Sequence, residues 1–405
     1  MDALWLEWFS LVVRWLHVIA GIAWIGASLH FVWLDNSLTS SAESNLPEGV
    51  KGELWSIHGG GIYHFQKYQL APPKWPSSLH WSKWEAYSTW ITGTLLLLAV
   101  YYFKAQAYLV GPDKLISDPT VAILASIAFL FVGVGVYEAI VRSPLRNKSL
   151  LFAWVVGIYV AFSCWLSVFL FSDRAAFVHV GALMGTIMAA NVFLGIIPSQ
   201  KKFVAAVQAG QAPDEESALF AKQRSTHNNY FTLPVLFCMI CIHYPFLYGH
   251  SFNWLILISI IAITAYARHF FNLRHRGILN YWILVRSVLA FLGLAAFVTY
   301  GNSVSLSENS PKPQAQQRAA ITDLAALSLI EKHCYVCHAK EPTYPGFYAP
   351  PGGIVLDDRQ SVMASLSKSL SATQTNYMPL GNLTKMTDQE RSDLVFWMQE
   401  KQAEQ

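Results

Sequence analysis

Charge is what this 405-residue chain has least of. Asp, Glu, Lys and Arg make up 13% of it, about half the share found in ordinary soluble domains. The formal charge is only +3 and no Lys/Arg cluster stands out, which excludes a basic nucleic-acid binder. Nothing basic precedes the first apolar run, and that run is too long for the core of a cleavable leader, so no signal peptide is expected. The shortage of charge is uneven. Residues 1–302 hold 33 charged side chains, whereas the 87 residues 319–405 hold 17. A single soluble globule and a disordered chain are both excluded. The pattern predicts a large membrane domain followed by a small soluble one.

A helix needs about 20 mostly apolar residues to cross the hydrocarbon core. Eight stretches meet this, near 8–34, 83–103, 120–141, 149–171, 175–197, 229–248, 253–272 and 281–300. Trp8, Trp33, Trp81, Trp84, Tyr101, Tyr102, Trp254 and Tyr300 crowd their ends like an aromatic belt. The expected fold class is all-α: a polytopic membrane bundle of about eight transmembrane helices with a C-terminal domain that the CxxCH stretch Cys334–His338 marks as a cytochrome c domain. Lys and Arg concentrate in the first, third, fifth and seventh connections (Lys67, Lys74, Arg142, Arg146, Lys201, Arg224 and Arg274 among them), which predicts that these face the cytoplasm. Both chain ends then lie on the opposite, periplasm-like side.

The domain boundaries are placed at 1–302 for the membrane domain, 303–318 for a polar, Pro-containing flexible linker, and 319–405 for the tail. In the tail, Cys334-Tyr-Val-Cys337-His338 is the c-type haem attachment pattern. Two thiols one helical turn apart meet the two vinyl groups, and the adjoining imidazole supplies an iron ligand. Met378, followed by Pro379, is the expected sixth ligand, with Met363 and Met386 as weaker alternatives. Met/His ligation raises the reduction potential, which suits an electron acceptor. A zinc site would need a second ligand pair, and the tail has none. A disulfide is the other ordinary use of two such thiols. Cys164, Cys238 and Cys241 lie in apolar stretches and read as buried packing.

Ionisable residues inside spanning helices are functional suspects. His17 and His179 each stand beside small residues and are candidate ligands of a second, b-type haem, with His243 in reserve; hydrogen-bonded core histidines are the plainer reading. On the other side, HGGGIYHFQKY (58–68), LHWSKWEAYSTW (79–90), Glu138, Arg142, THNNY (226–230), Arg268 and Arg286 suggest a polar pocket. The three glycines permit close backbone approach. HGGG also occurs in esterase oxyanion holes, but no GxSxG nucleophile elbow accompanies it.

The blocks WLHVIAGIAWIG, HGGGIYHFQKYQLAPPKWP, LHWSKWEAYSTW, HVGALMGTIMAANVF and HNNYFTLPVLF, with the CxxCH tail, resemble in the same order those of the cytochrome-c-linked integral membrane urate oxidases, or urate hydroxylases. The resemblance covers nearly the whole chain. It implies oxidation of urate to 5-hydroxyisourate in purine degradation, without peroxide release. Electrons would pass to one covalent haem c and on to a soluble or membrane respiratory acceptor, such as a cytochrome c or an oxidase, at a bacterial inner membrane. By residue type, Arg142, Arg268 or Arg286 could hold the urate anion, Trp84, Tyr87 or Trp90 could stack on it, and Glu85, Glu138 or a histidine could be the base. The expected catalytic set is Glu85, Glu138 and Arg142. Two other functions fit the residues: an electron-transfer subunit of a respiratory complex without its own substrate, and a transporter carrying a redox sensor.

Overall fold

The computed structural model describes residues 3–40, 46–47, 49–111, 114–212, 214–274, 277–309, 321–344, 347 and 349–404. Each long apolar run forms a helix: α1 (Ala3–Ser37), α2 (Trp84–Leu97), α3 (Pro119–Arg142), α4 (Ser149–Leu170), α5 (Asp173–Ala190), α6 (Ile197–Gln208), α7 (Glu215–Ile240), α8 (Asn253–Arg274) and α9 (Trp282–Asn309). A π-helical segment, Asn191–Ile196, joins α5 to α6, making one helix from Asp173 to Gln208. Among the described residues, six helices are long and apolar enough to cross a membrane. The other two of the eight expected stretches are helical but fall short. α2 has 14 residues before it widens into the π-helical turn Leu98–Tyr102, and α7 begins in the polar run EESALFAKQRSTHNN. Ile22, Phe131 and Ile158 are two-thirds exposed. Such an apolar outer surface suits a bundle whose solvent is lipid.

α5 runs through the centre, with Phe177, His179, Val180, Leu183, Met184 and Ile187 all buried. Close approach needs glycine at three points. A Cβ on Gly133 would lie 2.6 Å from Leu183 Cδ1, and one on Gly181 would lie 2.5 Å from Cys238 Cβ. A Cβ on Gly195 would lie 2.0 Å from Arg224 Cδ.

The all-α expectation is corrected by a three-stranded antiparallel sheet: β1 (Thr39–Ser40), β2 (Val50–His58) and β3 (Gly61–Tyr68). Leu54, Trp55 and Ile57 on one strand pair with Phe65, His64 and Ile62 on the other. These are strand-forming residues in a stretch too polar for a spanning helix. Gly59 and Gly60 have φ of 58° and 80° and close the hairpin between His58 and Gly61, as a two-residue turn with left-handed backbone requires. The HGGG run is therefore a hairpin tip, and no oxyanion cradle.

The linker boundary also moves. α9 continues to Asn309, so residues 303–309 are helical. Nothing in SVSLSEN breaks a helix, and the first proline is Pro311. The remainder of the expected linker, 310–318, lies outside the described residues. The tail folds around its own core of Ala326, Ile330, Leu366, Leu394 and Trp397. α10 (Asp323–His333) is capped by Thr322, whose hydroxyl accepts from Ala325 N. α11 (Tyr335–His338), α12 (Arg359–Ala364) and α13 (Leu366–Gln374) follow. α14 (Asp388–Ala403) starts with a full capping box between Thr387 and Glu390. The Trp397 indole ties α14 to α10 by donating to Asp323 at 3.0 Å.

Candidate functional site

The attachment motif sits where α10 ends. Cys337 N and His338 N both donate to Cys334 O, at 3.1 and 2.8 Å. One turn therefore presents both sulfurs and the imidazole. The two cysteines are not bonded to each other, which sets the disulfide reading aside. Burial pushes the Cys334 thiol up to about 12, and among the described residues no group of three or more His, Cys, Asp or Glu side chains stands together as a zinc site would need. His338 is 9% exposed, and its Nδ1 donates to Ile354 O at 2.9 Å. That bond fixes the tautomer and leaves Nε2 as a lone pair, the arrangement that iron-ligating histidines use. Burial also lowers the His338 pKa from its ordinary value, against the hydrogen bond to Ile354 O, which raises it.

The three candidate methionines separate by packing. Met386 is 4% exposed in the tail core, and Met363 packs against that core. Met378 is half-buried and belongs to neither group. Its loop is held through the backbone: Met378 N donates to Ala372 O at 2.9 Å, and the Arg391 guanidinium bonds both Met378 O and Thr373 O. A His338 ring held in the ligating tautomer within one turn of two unpaired cysteines, in a tail whose core leaves Met378 unused, fits covalent haem.

His17 and His179 do not form a matching pair. His17 Nδ1 faces Thr89 O and Thr92 Oγ1 at 3.1 and 3.0 Å, between α1 and α2. His179 is fully buried, with Nε2 2.6 Å from Ser126 Oγ and Nδ1 2.7 Å from Ala175 O. Phe171 stacks on it at 4.4 Å and Tyr101 meets it edge-on at 5.9 Å. With both nitrogens engaged and Phe171 stacked on the ring, His179 does not fit a haem b ligand.

Glu138 and Arg142 are brought together, one turn apart on α3, with Arg142 Nε donating to Glu138 at 2.6 Å. The dominant partner was not expected. Arg224 of α7 is completely buried and donates to both Glu138 oxygens, at 2.8 and 2.7 Å. It also donates to Asn191 Oδ1 at 3.1 Å. Asn191 Nδ2 reaches the Tyr137 hydroxyl and Asn228 Oδ1, and Tyr137 meets His227 Nδ1 at 2.7 Å. Asn229 accepts from Arg268, and Tyr230 bonds His269. The THNNY segment and Arg268 thus join the expected polar cluster. Arg286 is exposed on α9 and stays outside it. The network is built on the π-helical segment at Asn191, a distortion that often marks functional positions.

Glu85 lies on the other flank of that segment. Its Oε2 is buried without a hydrogen-bond partner, and His80 is 3.9 Å away. Tyr87, one half-turn on, meets Phe193 at 5.9 Å. Glu85 makes no contact with Glu138; the π segment separates the two carboxylates and touches both neighbourhoods. Trp84 is 66% exposed, and Trp90 donates to Thr186 Oγ1 at 3.3 Å. Arg224 could have been suspected from sequence as a cation near THNNY. Asn191 carried no signal, because its role depends on a local change of helical pitch.

These features define a polytopic helical chain able to span a membrane, with a buried ionic network inside and a CxxCH turn in its tail. The family model described as urate oxidase N-terminal matches residues 3–299, and the chain belongs to that family. Membership supports an oxidoreductase acting on urate. No curated protein and no solved structure matches the chain.

Proposed function

We propose that the membrane domain hydroxylates urate to 5-hydroxyisourate and that the electrons leave through haem c on the tail. The balance is urate plus water giving 5-hydroxyisourate, two protons and two electrons. The family match carries the first half of this reading, and the His338 tautomer beside two unpaired thiols carries the second. Bound haem supplies a one-electron acceptor, so each turnover needs two successive transfers. Cys334 and Cys337 would hold it through thioethers, with His338 and Met378 on the iron.

The chain's own residues bind the substrate and take its protons. The polar cluster around Asn191 offers donors that suit a planar anion. Glu138 already accepts from two guanidiniums, so its role is to hold Arg224 and Arg142 in place. Glu85, with one oxygen buried and unpartnered, is the better base for urate or water. The charge pattern supports a bilayer location with the tail on the periplasmic side, passing electrons to a respiratory acceptor.

The test is urate added anaerobically to the oxidised protein in membranes while the c-type absorbance is followed. The expected result is reduction of the c-type bands in the wild type and none in His338→Ala. A colourless protein from cells able to attach haem c, or reduction by quinol but never by urate, overturns the reading.

A further inference from the structure

The tail is seated on the membrane domain through the loop that carries Met378. A Cβ on Gly381 would lie 3.5 Å from Gln106 O and 3.6 Å from Val110 O, and one on Gly249 would lie 2.9 Å from Thr375 Cβ. Both positions are glycine, so the backbones approach closely. Across this seam the rings of Tyr248 and Tyr377 meet edge-on with centroids 5.5 Å apart. Among the described residues this is the one ring-to-ring contact between the tail and the membrane domain. Tyr377 is the residue immediately before Met378.

Aromatic residues continue inward from the seam. Tyr248 is 1% exposed and meets Phe177, itself fully buried, at 6.3 Å. Tyr108 meets Tyr101 at 6.2 Å, and Tyr101 meets His179 at 5.9 Å. The Arg174 guanidinium lies 5.1 Å over Tyr108, and its buried Nε has no hydrogen-bond partner. Arg174, Tyr248 and Tyr377 line a cavity of about 60 Å³. That holds a water or two, but not urate, so the seam is not a second substrate pocket.

We infer that this seam is the electron inlet of the tail, with Tyr377 docked on Tyr248 conveying electrons from the membrane domain to the group held beside Met378. The inference rests on the proposed function. Electronic coupling decays more slowly across packed conjugated rings than across saturated side chains or gaps. Tyr248, buried, and Tyr377, half-buried and next in sequence to the proposed iron ligand Met378, form such a bridge between the domains. One electron crosses per step, from urate or its one-electron-oxidised form to ferric iron, and the protons stay behind with the membrane-domain base. Tyr377 is a positioning residue here and stores no charge.

The experiment uses the full chain with Tyr377→Leu and Tyr377→Phe. Haem content and complete reduction by dithionite are measured first. Failure of the wild type at that stage, or under urate, overturns the proposed function and is read separately. Stopped-flow reduction by urate should then fall about tenfold in Tyr377→Leu and stay within about twofold of wild type in Tyr377→Phe, at unchanged haem content and unchanged reduction by ascorbate. Tyr377→Leu at the wild-type rate, or Tyr377→Phe as slow as Tyr377→Leu, overturns the inlet. A readout independent of haem is retention of the tail after cleavage at a protease site inserted within 310–320. The cut tail should co-elute with the membrane domain and be released by Gly381→Arg; release of the tail from the otherwise unaltered chain also overturns the inlet.

Discussion

The Glu138–Arg224 pair should respond asymmetrically to loss of either partner. Arg224 has no exposure at all, whereas the Glu138 side chain keeps 18% and a second guanidinium, Arg142, at 2.6 Å. Arg224→Met removes three hydrogen bonds but leaves Glu138 paired and partly hydrated. Its cost should sit near the low end of the range for breaking a buried pair, about 3 kcal/mol. Glu138→Gln keeps the size of the side chain but strands a buried cation with only amide oxygens for company. Its cost should reach about 5 kcal/mol. Combining Glu138→Gln with Arg224→Met removes both charges, so the double variant should cost about 5–6 kcal/mol, well short of the sum of the two single costs and close to Glu138→Gln alone. The coupling should be about 2–3 kcal/mol. Denaturant or thermal unfolding in one mild detergent, read by intrinsic Trp fluorescence and far-UV CD, gives all four corners of the cycle. Additive costs, or a larger penalty for Arg224→Met than for Glu138→Gln, would refute the assignment of Arg224 as the buried charge that the network exists to satisfy.

Met378→Ala and Met386→Ala should separate ligation from packing. The first should shift the c-type spectrum and lower the reduction potential with little loss of tail stability. The second should cost about 2–5 kcal/mol as a core truncation and leave the spectrum alone. Gly195→Ala should destabilise by about 1–3 kcal/mol through overpacking, since the new methyl would lie 2.0 Å from Arg224 Cδ; unchanged unfolding in the same detergent assay would show that the helices can part there. Acid should loosen the tail through Glu390. Lys332 and the Thr387 cap hold the Glu390 carboxyl well below its ordinary 4.5. A depressed pKa means the stabilisation is complete above that ordinary value and is lost as pH falls below it. The unfolding midpoint of Glu390→Gln should therefore vary less than that of the wild type between pH 5 and pH 3, a comparison made by following CD at 222 nm.

What the sequence made legible was the physics of single segments. Six of the eight expected spans follow, among the described residues, from apolar length alone, because a run like FAWVVGIYVAFSCWLSVFL has no other way to bury its surface or satisfy its backbone in lipid. The tight turn of the CxxCH stretch was legible because its spacing is its geometry: Cys337 and His338 return to Cys334 O within one turn. The hairpin at 50–68 was legible in principle, since Trp55, Ile57, Ile62 and Phe65 flank a Gly-Gly pair. The same residues read equally as part of a polar pocket. In the structure His64 stacks on Trp55 at 4.0 Å and bonds Glu53 at 2.8 Å, so it is spent within the strands.

The features that remained hidden share a cause, which is that they exist only between segments. Arg224 reads as a loop cation until α7 is known to begin at Glu215. Asn191 reads as helix filler until the π turn lets it face Arg224 and Asn228 together. His179 reads as a free ligand until Ser126 and Phe171 close on it. The same logic governs the seam. Tyr248 and Tyr377 lie far apart in sequence in segments of different composition, and neither shows any periodicity that marks it. They become a pair because Gly249 and Gly381, two residues with no side chain to obstruct, allow the tail loop onto the bundle. Electron exchange between a membrane-embedded site and a tethered carrier depends on contact distance more than on residue chemistry. A bulky side chain at Gly381 should therefore slow urate-driven reduction of the tail even though that residue touches neither substrate nor iron ligand, while reduction by a small soluble donor proceeds at its usual rate. Equal slowing by both donors would mean that the substitution damages the carrier itself and that docking sets no limit.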